Sequence, residues 1–345
     1  EEAAAQSGDS YSKFQFDNRA RNPNVYVGAN DGMLHAFDAS TGVEQWAYVP
    51  NALIENFHLT QVTDANAGLI SGVDDAPQQI DVFINGQWRT YLIGSLRLGG
   101  RGIYALDVTA PAPGSEGAAA SAVPKWEFTN VAPSSGGGTD CAAGARFCTS
   151  LGYTYDSVSV ARLAHDDRWV VLASSGYFPE DIADPASAES GARRTSLLVI
   201  DLETGTLIRE IRTPPPTSGI SYGLSTATVY DFGSDQIDDI AVAGDLAGNL
   251  WRFDLIGDPS TWKADLMFTS YGDGVAVGDQ PISFNPTAMR DPVNRVPMFI
   301  FGTGKYVGKP DRTSSIPQQV YYGIRDYGTC RSGSPACSIY PITPA

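Results

Sequence analysis

Three aspartates at four-residue intervals carry the most specific chemistry in the chain. Asp231, Asp235 and Asp239 stand at positions 1, 5 and 9 of the stretch DFGSDQIDD. A hard cation such as Ca2+ takes about six to eight oxygen ligands, and a loop of this kind turns alternate residues inward. The backbone carbonyl of Ile237, at position 7, is the fourth expected ligand. Two positions depart from such a loop. Gly233 at position 3 has no side-chain donor, and Gln236 occupies position 6, where a turn glycine is usual. The competing reading is a solvated acidic turn between two strands.

The other reactive residue types are few. Four cysteines form two close pairs, Cys141 with Cys148 and Cys330 with Cys337, in Gly/Ser/Ala/Pro-rich stretches without neighbouring histidine. Zinc favours tighter spacing or histidines, so the pairs read as two local disulfides in an oxidising compartment, with four free thiols as the alternative. His35, on an inner strand, reads as a satisfied core residue, whereas His58 and His165 lie in polar, loop-like settings. No nucleophile elbow or zinc-protease motif occurs. The pairs Asp74 with Asp75 and Asp166 with Asp167 read as solvated turns, and Asp64 with Asn66 is too weak a pair to adopt as a second metal site.

Hairpins must position these residues. After the acidic loop, Ile240–Ala243 is apolar, Gly244–Asn249 is bounded by Gly and Asn, and Leu250–Leu255 alternates apolar with polar, which predicts strand, turn, strand. The same pattern recurs from Val25, Tyr91, Trp169 and Pro297, and the second strand usually ends in aspartate: Asp38, Asp107, Asp201, Asp254, Asp326. Five repeats, 36 glycines and 22 prolines predict an all-β repeat fold. A lone blade cannot bury both its faces, so blades pack face to face, as in a β-propeller. The stretches 53–84 and 283–296 have room for further strands. The turns DASTG (38–42) and DLETG (201–205) combine an aspartate that accepts backbone N–H bonds with a glycine that supplies positive φ. With Trp46 covering a blade edge, this pattern resembles the tryptophan-docking motif of quinoprotein dehydrogenase propellers. The expected organisation is a frayed segment over 1–13, one propeller domain over 14–327 and a disulfide-closed tail over 328–345.

The formal net charge is −16. Nucleic acid and anionic membrane both require a basic face, so neither is the expected partner. No apolar run is long enough to span a bilayer. Beginning EEAAAQSGDS without Met, the chain reads as a piece of a longer exported protein.

Seven stretches in order, from VGANDGMLHAFDASTG through GGRGIYALDVT, LGYTYDSVSVARL, IDLETG, AGDLAGNLWRFDL and QPI to FGTGKYV, resemble the C-terminal domain of the PilY1 family of type IV pilus biogenesis factors and tip-associated adhesins. The resemblance implies a modified, seven-bladed β-propeller with a calcium loop D-x-D/N-x-D-G-x-x-D before AGDL-x-GNLW. Asp231, Asp235, Ile237 and Asp239 match that loop, and Gly233 and Gln236 depart from it. It further implies a non-enzymatic, calcium-responsive role in pilus extension and retraction, twitching motility and surface attachment. The implied partners are minor pilins, the assembly machinery and a host surface, and the implied location is the pilus tip, outer membrane or cell surface. The alternatives are a calcium-independent host- or glycan-binding adhesin, for which Tyr177, Phe178, Tyr321 and Tyr322 are the exposed aromatics, and a quinoprotein-like dehydrogenase. The dehydrogenase needs an adjacent-cysteine disulfide that this chain lacks.

Overall fold

The computed structural model describes residues 10–54, 71–110, 114–129, 150–155, 158–177, 195–214, 223–306, 311, 317–327 and 339–341. Cys141, Cys148, Cys330 and Cys337, and with them both expected disulfides, lie outside the described residues. So do His58, Asp64, Asn66 and Phe178.

Among the described residues five antiparallel sheets form, one for each repeat, and every sheet is a meander of consecutive strands. The first has three strands, β1 (Asn24–Gly28), β2 (Leu34–Asp38) and β3 (Glu44–Tyr48). The second joins β4 (Gln78–Ile84), β5 (Gln87–Ser95), β6 (Gly102–Asp107) and β7 (Pro124–Thr129). The third joins β8 (Ser159–Leu163), β9 (Arg168–Ser174), β10 (Ser196–Asp201) and β11 (Leu207–Arg212). The fourth joins β12 (Thr228–Tyr230), β13 (Ile240–Gly244), β14 (Asn249–Asp254) and β15 (Lys263–Thr269), and the fifth joins β16 (Thr287–Arg290), β17 (Pro297–Gly302), β18 (Tyr321–Arg325) and β19 (Ile339–Pro341).

The chain divides into two compact units. One comprises Glu1–Gly137, Tyr153–Val158 and Asp201–Thr206, and the other Gly138–Gly152, Ser159–Ile200 and Leu207–Ala345. In the first unit Leu34 of the first sheet packs with Leu92, Tyr104 and Leu106 of the second, and Tyr26, Trp46 and Tyr48 close over them. In the second unit the fourth sheet is buried on both faces. Ala241, Ala243, Trp251 and Phe253 point to one core with Leu172, Leu197 and Val199. Ile240, Val242 and Leu250 point to another with Phe299, Phe301 and Ile324. Alternation sends odd and even residues to opposite faces, so β13 reads as an unbroken apolar run because each face meets a neighbour. Register pairs Ala241 with Phe253 and Ala243 with Trp251, so a small side chain on β13 leaves room for each ring on β14.

The aspartate turns form as their sequence predicts. Asp38 Oδ1 accepts from the N–H groups of Ser40 and Thr41, both at 2.9 Å, and Gly42 takes φ 71°. Asp201 Oδ1 accepts from Thr204 N–H at 2.7 Å, and Gly205 also takes φ 71°. The docking tryptophan of the second turn is Trp126. Its indole N–H donates to Leu202 O at 2.8 Å, and its ring lies so close to Gly205 that a Cβ there would stand 2.5 Å from Trp126 Cγ. Trp46 instead packs against Tyr26, with centroids 5.8 Å apart.

Two elements fall inside the expected terminal segments 1–13 and 328–345. Within 1–13, Ser10 caps a helix over Tyr11–Asn18, accepting from Lys13 N–H. Tyr11 packs at a tilt against Trp88 and donates to Asp81, so the chain is held down from Ser10 onward rather than frayed to residue 13. Within the expected tail 328–345, Ile339–Pro341 adds a fourth strand to the last sheet, because the edge of β18 offers unpaired ladder groups.

Candidate metal centre

The acidic loop connects β12 to β13. Its base is closed by Asp239 N–H donating to Tyr230 O at 3.1 Å, and Leu255 N–H donates to Asp239 O at 3.0 Å. Inside the loop, each expected aspartate ligand accepts from backbone. Asp231 takes Ser234 N–H on Oδ1 at 2.6 Å and Gln236 N–H on Oδ2 at 2.8 Å. Asp235 Oδ1 takes Ile237 N–H at 3.1 Å, and Asp239 Oδ2 takes Phe232 N–H at 2.7 Å. Among the described residues no backbone N–H donates to the Ile237 carbonyl.

Both departures from the expected loop acquire a physical meaning. Gln236 adopts φ 71°, so the backbone makes the left-handed turn at position 6 without glycine. An L-residue there costs about 1–2 kcal/mol. Gly233 lies against the Asp235 carboxylate, and a Cβ would come within 3.2 Å of Asp235 Cγ. A side chain at position 3 would require the Asp235 carboxylate to give by a few tenths of an ångström.

Two carboxyls of the loop are shifted, chiefly by burial. Burial, and then the charges of Asp231 and Asp235, push the Asp239 carboxyl above the ordinary value. Asp238, between Ile237 and Asp239, is pushed up to about 6 by burial and by Asp231 and Asp239. Each carboxylate oxygen has two lone pairs, so one N–H bond leaves the other free for a cation. The donor chemistry thus fits a hard cation. As the loop stands, no three His, Cys, Asp or Glu side chains among the described residues are grouped around a common point. Asp231, Asp235 and Asp239 share one electrostatic neighbourhood, but their oxygens are turned to the loop's own N–H groups.

Sequence reasoning missed two structural carboxylates, one within the acidic loop and one at the opposite end of β13. Asp238 is one: its Oδ2 accepts from Arg162 N–H at 3.1 Å while its own N–H donates to Arg162 O at 2.8 Å. Asp245, at the β13–β14 turn, is the other. Its Oδ1 accepts from the N–H groups of Ala247 and Asn249, both at 2.9 Å, and its Oδ2 from Asn249 Nδ2 at 2.7 Å and Trp251 Nε1 at 2.8 Å. Burial pushes this carboxyl up, against the pull of those donors. The GDLAGN spacing was its only sequence signal.

Other singled-out residues have structural roles. His35 is half-buried rather than core, with Nδ1 2.7 Å from Glu44 and Nε2 3.0 Å from Asp31. His165 lies edge-on to Trp262, with centroids 6.3 Å apart. Asp75 accepts from the Ser95 hydroxyl at 2.9 Å, and Asp166 and Asp167 form an exposed turn. Of the aromatics expected on the surface, Tyr177 is buried, Tyr322 is half-buried and Tyr321 is 73% exposed.

The PilY1 beta-propeller domain matches residues 3–341. This chain belongs to the PilY1 β-propeller family. The type IV pilus biogenesis factor PilY1 of Pseudomonas aeruginosa strain UCBPP-PA14 is 35% identical over 350 residues, covering 94% of this chain and 27% of the relative. A PilY1 homolog of Xylella fastidiosa is 34% identical, over 94% of this chain and 23% of its own length. The crystal structure of the Pseudomonas aeruginosa PilY1 C-terminal domain superposes with a TM-score of 0.71 at 34% identity, covering 99% of this chain and 64% of that one. The chain therefore spans about a quarter of the length of these full PilY1 relatives. No helix among the described residues is long and apolar enough to cross a membrane.

Proposed function

We propose that this PilY1 propeller is a non-enzymatic type IV pilus biogenesis domain whose Asp231–Asp239 loop binds Ca2+ and thereby regulates pilus extension and retraction, twitching motility and surface attachment. Supporting the pilus role are relatives named as type IV pilus biogenesis factors, matched over most of this chain. The observation that carries the calcium reading is the placement of Asp231, Asp235 and Asp239 on one short loop, folded so that each carboxylate accepts from a backbone N–H of that same loop. Four aspartates on nine residues, Asp231, Asp235, Asp238 and Asp239, are a standing repulsion that a divalent cation relieves. Asp231, Asp235, Asp239 and the Ile237 carbonyl would hold the ion, with water completing the shell. Binding draws the carboxylates off the loop's N–H groups and toward the ion, which reshapes an exposed surface. Pilus components, namely minor pilins and the assembly machinery, would read that surface on the exported protein at the pilus tip, outer membrane or cell surface. In this reading Cys141 is oxidised with Cys148, and Cys330 with Cys337.

Calorimetric titration of Ca2+ into the protein, beside Asp231→Ala and Asp239→Ala, tests the site. Heat is expected for the parent and not for either variant. Indistinguishable heats for all three would remove the loop from consideration. A second reading, a host- or glycan-binding adhesin surface, has one observation in its favour. The exposed Tyr321 ring lies across Gly302, where a Cβ would be 3.0 Å from the ring. Binding to a glycan array that Tyr321→Ala abolishes and calcium does not alter would select it instead.

A further inference from the structure

Asp238 is not among the expected ligands, yet it is the loop residue most firmly tied to another sheet. Its partner, Arg162, lies on β8, which among the described residues is an edge strand with β9 as its one sheet neighbour. Edge strands present outward N–H and C=O groups. Asp238 takes both of these from one residue, Oδ2 accepting the Arg162 N–H and the Asp238 N–H donating to the Arg162 carbonyl. It thus docks on the edge as an added strand would. The Arg162 guanidinium then holds Asp167 with two bonds, Nε–Oδ1 at 2.7 Å and Nη2–Oδ2 at 2.9 Å. Asp167 and Asp166 form the β8–β9 turn in left-handed conformations, φ 49° and 59°. Non-glycine residues hold such conformations when surrounding contacts enforce them. On the other side, Asp238 adjoins the expected ligands Ile237 and Asp239.

We infer that Asp238 is a positioning residue that couples the acidic loop to the β8–β9 turn, so that calcium in the loop is reported at residues 163–168. This rests on the calcium reading of the loop. When the carboxylates of Asp231 and Asp239 turn toward a cation, the segment carrying Asp238 is fixed with them. Its two-bond grip fixes the Arg162 backbone, and the Arg162 fork fixes Asp167. The surface that a partner reads is then the exposed Ala164–Asp167 turn as well as the loop itself.

Amide hydrogen exchange with and without Ca2+, run beside calorimetry, tests the coupling in the parent, Asp238→Ala and Asp238→Asn. Without calcium, Asp238→Ala should speed exchange at the Arg162 amide, whose acceptor it removes. An unchanged rate there would refute the grip. With calcium, the parent should show exchange over 163–168 slowed by about tenfold. Asp238→Asn, which keeps an acceptor oxygen, should retain the slowing. Asp238→Ala should bind calcium with heat and lose the slowing, a result that general destabilisation does not produce. Heat in the parent without slowing, or slowing that survives in Asp238→Ala, overturns the coupling and leaves the calcium site standing. Absence of heat in the parent overturns both.

Discussion

Replacing Asp245 with asparagine should destabilise the fold by about 2–4 kcal/mol, and the number follows from four hydrogen bonds. The carboxylate is 1% exposed and accepts two donors on each oxygen. In Asp245→Asn one oxygen becomes an amide nitrogen, which cannot accept. Whichever way the amide is turned, two donors face it. A buried donor without an acceptor costs about 1–3 kcal/mol, so two cost about 2–6 kcal/mol. Part of this is returned, because burial raises the Asp245 carboxyl and neutralising it relieves that penalty. Asp245→Ala orphans all four donors and should cost more. Thermal unfolding followed by tryptophan fluorescence reads both, because Trp251 is one of the donors. At about 2 °C per kcal/mol for a large domain, Asp245→Asn should melt about 4–8 °C below the parent. A shift under about 1 °C, or an Asp245→Ala variant milder than Asp245→Asn, would refute the reasoning. Either would mean that Asn249 and Trp251 do not depend on this carboxylate.

Three other perturbations follow from backbone geometry and charge. Gln236→Gly removes the cost of a left-handed L-residue, offset by glycine's chain entropy, and should stabilise by about 0.5–1 kcal/mol in urea unfolding with calcium binding retained; a loss of stability would assign the Gln236 side chain a contact of its own. Gly205→Ala and Gly42→Ala share φ 71°, but a Cβ at Gly205 meets Trp126 and one at Gly42 meets nothing within 4 Å. Gly42→Ala should therefore cost about 1 kcal/mol and Gly205→Ala about 2–4 kcal/mol, and equal midpoints would dismiss the Trp126 contact. His35 has its pKa raised, chiefly by the Glu44 hydrogen bond. A raised folded value means that its stabilising contribution is complete below the unfolded value of about 6.5 and is lost as pH rises through the folded value. The melting temperature of the parent should fall relative to His35→Gln over that interval, and a constant difference would disprove the linkage.

The fourth sheet was the most readable part of the chain. Ile240–Ala243 and Leu250–Leu255 were expected as strands, and β13 and β14 span Ile240–Gly244 and Asn249–Asp254. Period-2 alternation and a glycine turn are strong local signals when both faces are buried. The short strands were hidden because packing creates them. β12 has three residues and β16, inside the stretch 283–296 that had room for a strand, has four, too few in each for a period-2 pattern to show. A third aspartate turn, at Asp291, escaped notice for a different reason. Its Oδ1 accepts from Val293 and Asn294, but Arg295 at φ 58° stands where the other turns have glycine. The acidic loop was legible as a spacing of charges. Its grip on Arg162 was not, because Asp238 and Arg162 are 76 residues apart and only sheet packing brings them together.

Within each sheet every strand is paired with the one before it, so a connection there closes a loop between neighbours, and a longer connection adds little entropy. Doubling a connection costs about 0.6 kcal/mol. The connection from Asp254 to Lys263, between β14 and β15, can therefore change length at little cost while the ladder on either side keeps its register. Such a scaffold lets selection rewrite what it displays to the outside without renegotiating how it folds.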